Sequence, residues 1–175
     1  NPGPWRIPYH HHAVLDYCKR LGVRLEPFIQ QNQNAYLHSK DAFGGKPQRF
    51  RHIQADFQGH VAELLAKAAQ GGKLDTAASP QDTARLLEAL RSWGVLDRDY
   101  AYRKGHAVSS RRGFARDAGG GLDAAPIPST PLSPADILQS GLWAWLGSGS
   151  GYEFSDTMLQ FVGGMDMIAR ALGKG

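Results

Sequence analysis

Apolar residues near the start of the chain recur at the spacing of one helical face. Within residues 8–21 the residues on this face are Val14, Leu15, Cys18 and Leu21. Pro8 suits the first turn of a helix, where a missing N–H costs nothing, and Gly22 is a natural end. The pattern therefore predicts a helix over residues 8–21.

Two short alternating runs, 23–29 and 35–38, come next and predict strands. An Asn-rich turn at 32–34 separates them, so the two strands could pair as a hairpin. Pro27 cannot donate a ladder hydrogen bond, which makes the first strand an edge strand or an irregular one. The glycine- and proline-containing stretch 42–47 predicts a hinge, after which the pattern becomes helical.

Three amphipathic helices are predicted between residues 53 and 146. The first, 53–70, places its larger apolar residues on one face: Phe57, Val61, Leu64, Leu65 and Ala68. The second and third begin at Ser79 and Ser133, each a serine N-cap followed by proline and then an acid. The segment 100–131 between them has little periodicity, and a loop of that length is either functional or disordered.

The last part of the chain predicts extended segments at 152–154 and 158–162, a Gly163-Gly164 turn and a short helix at 165–172. The preceding run Gly147-Ser148-Gly149-Ser150-Gly151 is linker-like, and both a natural turn and an engineered replacement of a longer loop fit it. The fold class is therefore α+β, mainly α. We divide the chain into three sections: 1–45, 46–146 and 147–175.

Composition narrows the function classes. The chain has 175 residues, a net charge of +4 and no apolar run of the roughly 18 residues that span a membrane. Its basic residues are scattered apart from 49–52 and 110–112, which indicates a solvated face and no nucleic-acid partner. The single Cys18 excludes an internal disulfide, fits a buried apolar position and leaves cytoplasm and periplasm both open.

Two groups of residues are candidates for chemistry. The run His10-His11-His12 suggests a metal, but neighbouring residues of a helix point about 100° apart, so we predict no metal site. Arg6 lies between two prolines and beside Trp5, and a fixed arginine can bind a carboxylate or phosphate through two nitrogens. A salt-bridged surface arginine is the alternative. The Val162-Gly163-Gly164-Met165 turn has the context of a phosphate loop but lacks the G-x-G-x-x-G pattern.

Three motifs carry a resemblance to a known family: Gly3-Pro4-Trp5-Arg6-Ile7-Pro8, then 22–28 with 32–36, and finally 161–166, FVGGMD. They resemble the substrate-domain segment of the flavin-dependent L-amino-acid oxidase and flavin monoamine oxidase family. Residues 111–114 and 119–122 resemble a bacterial branch of it. The resemblance implies part of an amine-oxidase substrate-binding domain (1–45), an inserted helical domain (46–146) and a return toward the FAD-binding domain (147–175).

The resemblance also implies an activity and a site. Arg6 would bind the α-carboxylate of an amino acid, and Gly3, Pro4, Trp5 and Arg6 would lie against FAD, although the family usually has methionine where Trp5 stands. Hydride would pass from the substrate Cα to the flavin, the imino acid would hydrolyse, and oxygen would reoxidise the flavin to give hydrogen peroxide. No residue of this chain is assigned to the chemical step itself.

The FAD-binding G-x-G-x-x-G section of such an enzyme is not in this sequence, which begins with Asn1 and not methionine. We therefore expect the central portion of a flavoenzyme, excised or processed, that is inactive alone. Its expected partners are the remaining FAD-binding sections and an amino-acid substrate, with a homodimer left open. The alternative is a non-catalytic helical binding module.

Overall fold

The structure is a computed structural model that describes residues 6–73, 79–119, 124–147, 151–154 and 157–174. Its elements in chain order are β1 (Ile7–Pro8), α1 (His12–Arg20), β2 (Leu25–Pro27), β3 (Tyr36–Leu37), β4 (Gln48–Arg49), α2 (Phe50–Gln70), α3 (Pro80–Gly94), α4 (His106–Arg112), α5 (Pro134–Ser140), β5 (Met158–Phe161) and α6 (Met167–Leu172). Short 3₁₀ helices cover Phe43–Gly45, Leu142–Gly147 and Tyr152–Phe154. The predicted fold class, α+β and mainly α, is confirmed.

The chain forms two compact units. The first combines Asn1–Asn32 with Gly147–Gly175, and the second is Gln33–Leu146. The division of the chain into three domain sections, 1–45, 46–146 and 147–175, stays a prediction. Among the described residues, no helix combines the length and the apolar content needed to cross a membrane.

The first unit is built on a three-stranded antiparallel sheet in the order β1-β5-β2. Ile7 pairs with Leu159 on one side of β5, and Leu25 pairs with Phe161 on the other. Ile7, Cys18 and Phe161 form the buried centre of this unit, so Cys18 is the buried apolar residue that the sequence predicts. Pro27 lies on an edge strand, as predicted.

Two predictions about this part of the chain are wrong. The first helix begins at His12 and not at Pro8, because Pro8 belongs to β1 and lies opposite Met158. The two early strands form no hairpin: β2 pairs with β5, and β3 pairs with β4. Partners distant in sequence determine both outcomes, and local pattern contains no information about them.

The second unit packs around the small residues of α2. The buried positions of this helix include Gly59, Ala62, Ala66 and Ala69, and the core formed with them contains Leu90, Tyr102 and Val108. The predicted inward face is therefore wrong, since Leu64 and Leu65 are exposed and Phe57, Val61 and Ala68 are only half-buried. Small side chains allow α3 and residues near Tyr102 to approach the α2 backbone closely, and the larger side chains of these neighbours fill the core.

The N-termini of two helices follow the sequence prediction. The Ser79 hydroxyl accepts a hydrogen bond from the Asp82 N–H at 3.1 Å, and Ser133 does the same for Asp136 at 3.5 Å. The predicted helix that begins at Ser133, however, divides at Gly141, whose φ of 66° ends α5 before a separate 3₁₀ helix. The segment 100–131 contains α4, which we did not predict, and a bridge between Arg116 and Ile127.

The two arginines Arg111 and Arg112 of segment 100–131 differ in their exposure to solvent. Arg112 is almost fully buried and binds the buried carboxylate of Asp56, whereas Arg111 is exposed and donates to the carbonyl oxygens of Ser92 and Trp93. The prediction of a solvated charge is therefore wrong for Arg112. Its charge is compensated within the unit by a carboxylate that lies 56 residues earlier.

Gly94 of α3 packs against Ala62 of α2, and replacing it with alanine is expected to cost about 1–3 kcal/mol of unfolding free energy. A Cβ atom at this position would lie 2.2 Å from the Cβ of Ala62, and neither atom can rotate away. Urea unfolding would measure the loss. Gly105→Ala is the matched control, because its backbone is extended and its nearest neighbour lies at 3.9 Å. A Gly94→Ala chain as stable as the control would contradict this packing.

Candidate functional site

Arg6 directly precedes the first strand, and the sheet sets its position. The antiparallel pairing of β1 with β5 holds Ile7 and Pro8, and both are buried. Arg6 is therefore anchored at its C-terminal side by residues with little freedom to move.

Gln30 and Phe154 are among the side chains that contact the Arg6 guanidinium. Its Nη1 atom donates a hydrogen bond to Oε1 of Gln30 at 3.0 Å. Its central carbon lies 4.3 Å above the centre of the Phe154 ring, within the range of a cation–π contact. These contacts give the planar group a defined direction, which is the condition for recognising a carboxylate through two nitrogens.

The other three predicted flavin contacts, Gly3, Pro4 and Trp5, lie outside the described residues. Their proximity to a flavin, and the rigid frame that Pro4 gives to Arg6, stay predictions. The arrangement around Arg6 nevertheless includes two residues that sequence reasoning missed. Gln30 follows β2, and Phe154 is in the 3₁₀ helix before β5, in a segment for which we had predicted an extended conformation.

The histidines do not have the helical arrangement on which our metal prediction was based. His10 and His11 precede α1, and only His12 is part of it. The rings of His10 and His11 lie 4.9 Å apart at an interplanar angle of 89°, and both approach Glu153. The assumption that adjacent histidines must diverge therefore fails for this pair, because they are outside the helix.

The turn between β5 and α6 has the strand–turn–helix order that the sequence predicts. Gly163 and Gly164 adopt φ values of 95° and 113°, which favour glycine. The helix that follows has only six residues, and the turn lacks the third glycine of a dinucleotide motif. This turn therefore lacks the features of a dinucleotide phosphate loop.

The known proteins to which this chain is similar are named as L-amino-acid oxidases. The chain is 21% identical over 172 residues to an L-amino-acid oxidase of Pseudechis australis, covering 98% of this chain and 32% of that protein. It is 20% identical over 168 residues to an L-amino-acid oxidase of Naja atra, covering 96% and 31%. An L-amino acid oxidase of Bothrops pictus is 30% identical over 91 residues, covering 52% and 17%. No family model matches the chain.

The chain spans about a third of the length of the two relatives that match almost all of it. These relatives support an amine oxidase family, since all three are named as amino-acid oxidases. They come from snakes, so they give no support to the resemblance with a bacterial branch. The identities are low, and FAD dependence, substrate and activity go beyond what they show.

Proposed function

We propose that this chain is the central part of an FAD-dependent L-amino-acid oxidase, with a segment of the substrate-binding domain and an inserted helical domain. The similarity over 172 residues to a protein named L-amino-acid oxidase supports this function. The observation that carries the site is the fixed guanidinium of Arg6, held by Gln30 and Phe154. Other proposed partners are the remaining sections of the enzyme and, as an open alternative to a monomer, a second copy.

Arg6 binds the α-carboxylate of the amino acid in this proposal. A guanidinium whose direction is already set loses little freedom when it pairs with a carboxylate, so more of the interaction energy orients the substrate. Holding the carboxylate fixes the position of the neighbouring Cα, at which the oxidation takes place. The role of Arg6 is therefore to bind and orient the substrate, and it takes no part in proton or hydride movement.

The overall reaction is the oxidative deamination of an amino acid. The amino acid, oxygen and water give a 2-keto acid, ammonia and hydrogen peroxide, with the Cα–N bond oxidised to an imine that water then hydrolyses. When bound, FAD supplies the redox chemistry. Arg6, with Gly3, Pro4 and Trp5 before it, would lie against the flavin in this proposal, and sections beyond this chain would provide most of the pocket.

A non-catalytic helical binding module is the second candidate. One observation favours it: the exposed side chains of Leu64 and Leu138 line a common, apolar cleft on α2 and α5 of the second unit. Exposed apolar groups of this size are common at protein–protein contacts. A module of this kind would bind a partner through this surface and would need neither flavin nor amino acid.

The proposal predicts different behaviour for the isolated chain and for the full-length protein that contains it. The isolated chain is expected to purify without stoichiometric flavin and to release no peroxide, because most of the flavin pocket lies in the missing sections. The full-length protein is expected to bind FAD and to release peroxide with a subset of the twenty L-amino acids. Flavin absorbance and a coupled peroxide assay measure both, with D-amino acids as the control.

Each outcome of this experiment separates the candidates. Stoichiometric flavin in the isolated chain would contradict the proposal that the chain is an incomplete part of the enzyme. A full-length protein that contains no flavin and produces no peroxide with any amino acid would contradict the oxidase and favour the binding module. Equal amounts of peroxide and keto acid from the full-length protein would support the reaction as written.

A further inference from the structure

We propose that His10, His11 and Glu153 bind one divalent transition-metal ion of the Zn²⁺ class. Oε2 of Glu153 lies 3.1 Å from Nε2 of His11 and 3.4 Å from Nε2 of His10. The three residues can each present one ligand atom such that all these atoms lie within 4.8 Å of one another. The histidines and the glutamate come from segments separated by 142 residues or more.

The distances match those between neighbouring ligands of a zinc ion. Zinc binds histidine nitrogen and carboxylate oxygen at about 2.0–2.2 Å with tetrahedral geometry, so two such ligand atoms are about 3.3–3.5 Å apart. The two observed nitrogen–oxygen distances lie at or close to this range. The ligand atoms of the two histidines lie within 4.8 Å of each other, so an ion would draw these side chains toward a common point.

His10 provides the second observation. Its side chain is 16% exposed, and both ring nitrogens are buried without a hydrogen-bond partner among the described residues. Nε2 comes within ion-pair distance of Glu153 but is not aligned to form a hydrogen bond. Buried nitrogens without partners are costly, and a metal bound at Nε2 would remove part of this cost.

A simple histidine–glutamate contact explains the arrangement less well. The rings of both histidines approach the same carboxylate oxygen, and only His11 makes a hydrogen bond to it. The ring of Tyr152 lies 4.5 Å from that of His10 and limits its rotation. Two imidazoles and one carboxylate that converge on a point are a donor set typical of zinc, with a fourth position left for water.

Occupation by a metal would affect the neighbourhood of Arg6. Glu153 is in the same 3₁₀ helix as Phe154, whose ring contacts the Arg6 guanidinium. An ion would tie this helix to the segment that precedes α1. It would thereby restrict the motion of one of the side chains that hold Arg6.

Calorimetric titration of the untagged chain with ZnCl₂ tests the site. We expect one zinc ion per chain, with affinity reduced at least tenfold in His11→Gln and in Glu153→Gln. His12→Gln is the matched control, because His12 is exposed in α1 and is not one of the three converging residues. Its affinity is expected to equal that of the wild type.

Co²⁺ in place of zinc gives a second readout, since its visible spectrum distinguishes tetrahedral from octahedral coordination. We expect a tetrahedral spectrum that Glu153→Gln abolishes, and weaker binding at lower pH because protons compete for the imidazole nitrogens. No stoichiometric zinc at micromolar concentration, or an equal loss of affinity in His12→Gln, would overturn the proposal. Neither measurement depends on oxidase activity, so the site and the proposed function can fail separately.

Discussion

Replacing Asp56 with asparagine is expected to cost about 3–5 kcal/mol of unfolding free energy, because it leaves the buried charge of Arg112 without its partner. The Asp56 side chain is fully buried and that of Arg112 is 3% exposed. Nε of Arg112 donates to both carboxylate oxygens, at 2.8 and 3.1 Å. Asparagine has the same shape, so the loss would report the charge and one lost hydrogen-bond acceptor, and not the packing.

The carboxylate of Asp56 joins four parts of the second unit. It accepts the hydroxyl of Tyr102 at 2.8 Å and the backbone N–H of Leu132 at 2.8 Å, in addition to Arg112. Burial, followed by the charge of Asp56, raises the pKa of Tyr102, so its hydroxyl stays a donor over the usual pH range. Arg112 in turn donates to Ser129. Loss of the charge therefore affects helix α2, helix α4 and two loops together.

Urea unfolding of three variants would measure this effect. Asp99→Asn is the control, since its pair with Arg103 is exposed and such pairs contribute about 0–1 kcal/mol. Replacing both partners with apolar residues, Asp56→Leu with Arg112→Met, is expected to recover only part of the stability lost in Asp56→Asn, because the Tyr102 hydroxyl and the Leu132 N–H lose their acceptor. A loss below about 1 kcal/mol in Asp56→Asn would show that the buried pair does not hold the unit together.

Features determined by local chemistry could be predicted from the sequence. The start of α3 at Ser79 depends on a hydroxyl and an N–H three residues apart, and the structure has that hydrogen bond. The strand predicted at 158–162 and the glycine turn after it can likewise be predicted from neighbouring residues. These elements need no information about the rest of the chain.

Features determined by distant partners could not be predicted. Pro8 lies in β1 because β5, about 150 residues later, supplies the pairing, and β2 pairs with the same strand. The buried face of α2 contains Asp56 and small residues because Arg112 and Tyr102 pack there. Apolar periodicity alone predicts that the opposite face of this helix is buried. A search for an acid to compensate the Arg111-Arg112 pair could have suggested a buried partner, but not which one.

The same distinction applies to the candidate site. Arg6 was found from its neighbouring prolines and from the resemblance, both of which are readable in one short segment. Gln30, Glu153 and Phe154 come together with this segment only through the sheet, so no spacing in the sequence points to them. The sequence alone therefore identifies Arg6, whereas the residues that contact it can be identified only from the structure.

Arg6→Ala in the full-length protein is expected to lower kcat/KM for amino acids by about 10- to 150-fold, the loss of one charged hydrogen-bonding partner of about 1.5–3 kcal/mol. Most of the change should be a higher KM, because the proposed role is to bind the α-carboxylate. Arg6→Lys should recover only part of the activity, since lysine keeps the charge but lacks the planar fork. Steady-state peroxide assays would measure kcat, KM and kcat/KM for the wild type and both variants.

Two controls make this result specific to the carboxylate. Arg20→Ala removes an exposed arginine of α1 that pairs with Asp16, and it should leave kcat/KM unchanged. An amine that lacks the carboxylate should be oxidised slowly and at the same rate by the wild type and by Arg6→Ala. Such an amine cannot pair with Arg6 in either protein. Gln30→Ala should weaken amino-acid binding less than Arg6→Ala, since Gln30 acts only by holding the guanidinium. An unchanged KM in Arg6→Ala, with normal flavin content, would rule out the carboxylate role, because the group that orients the substrate must then lie elsewhere.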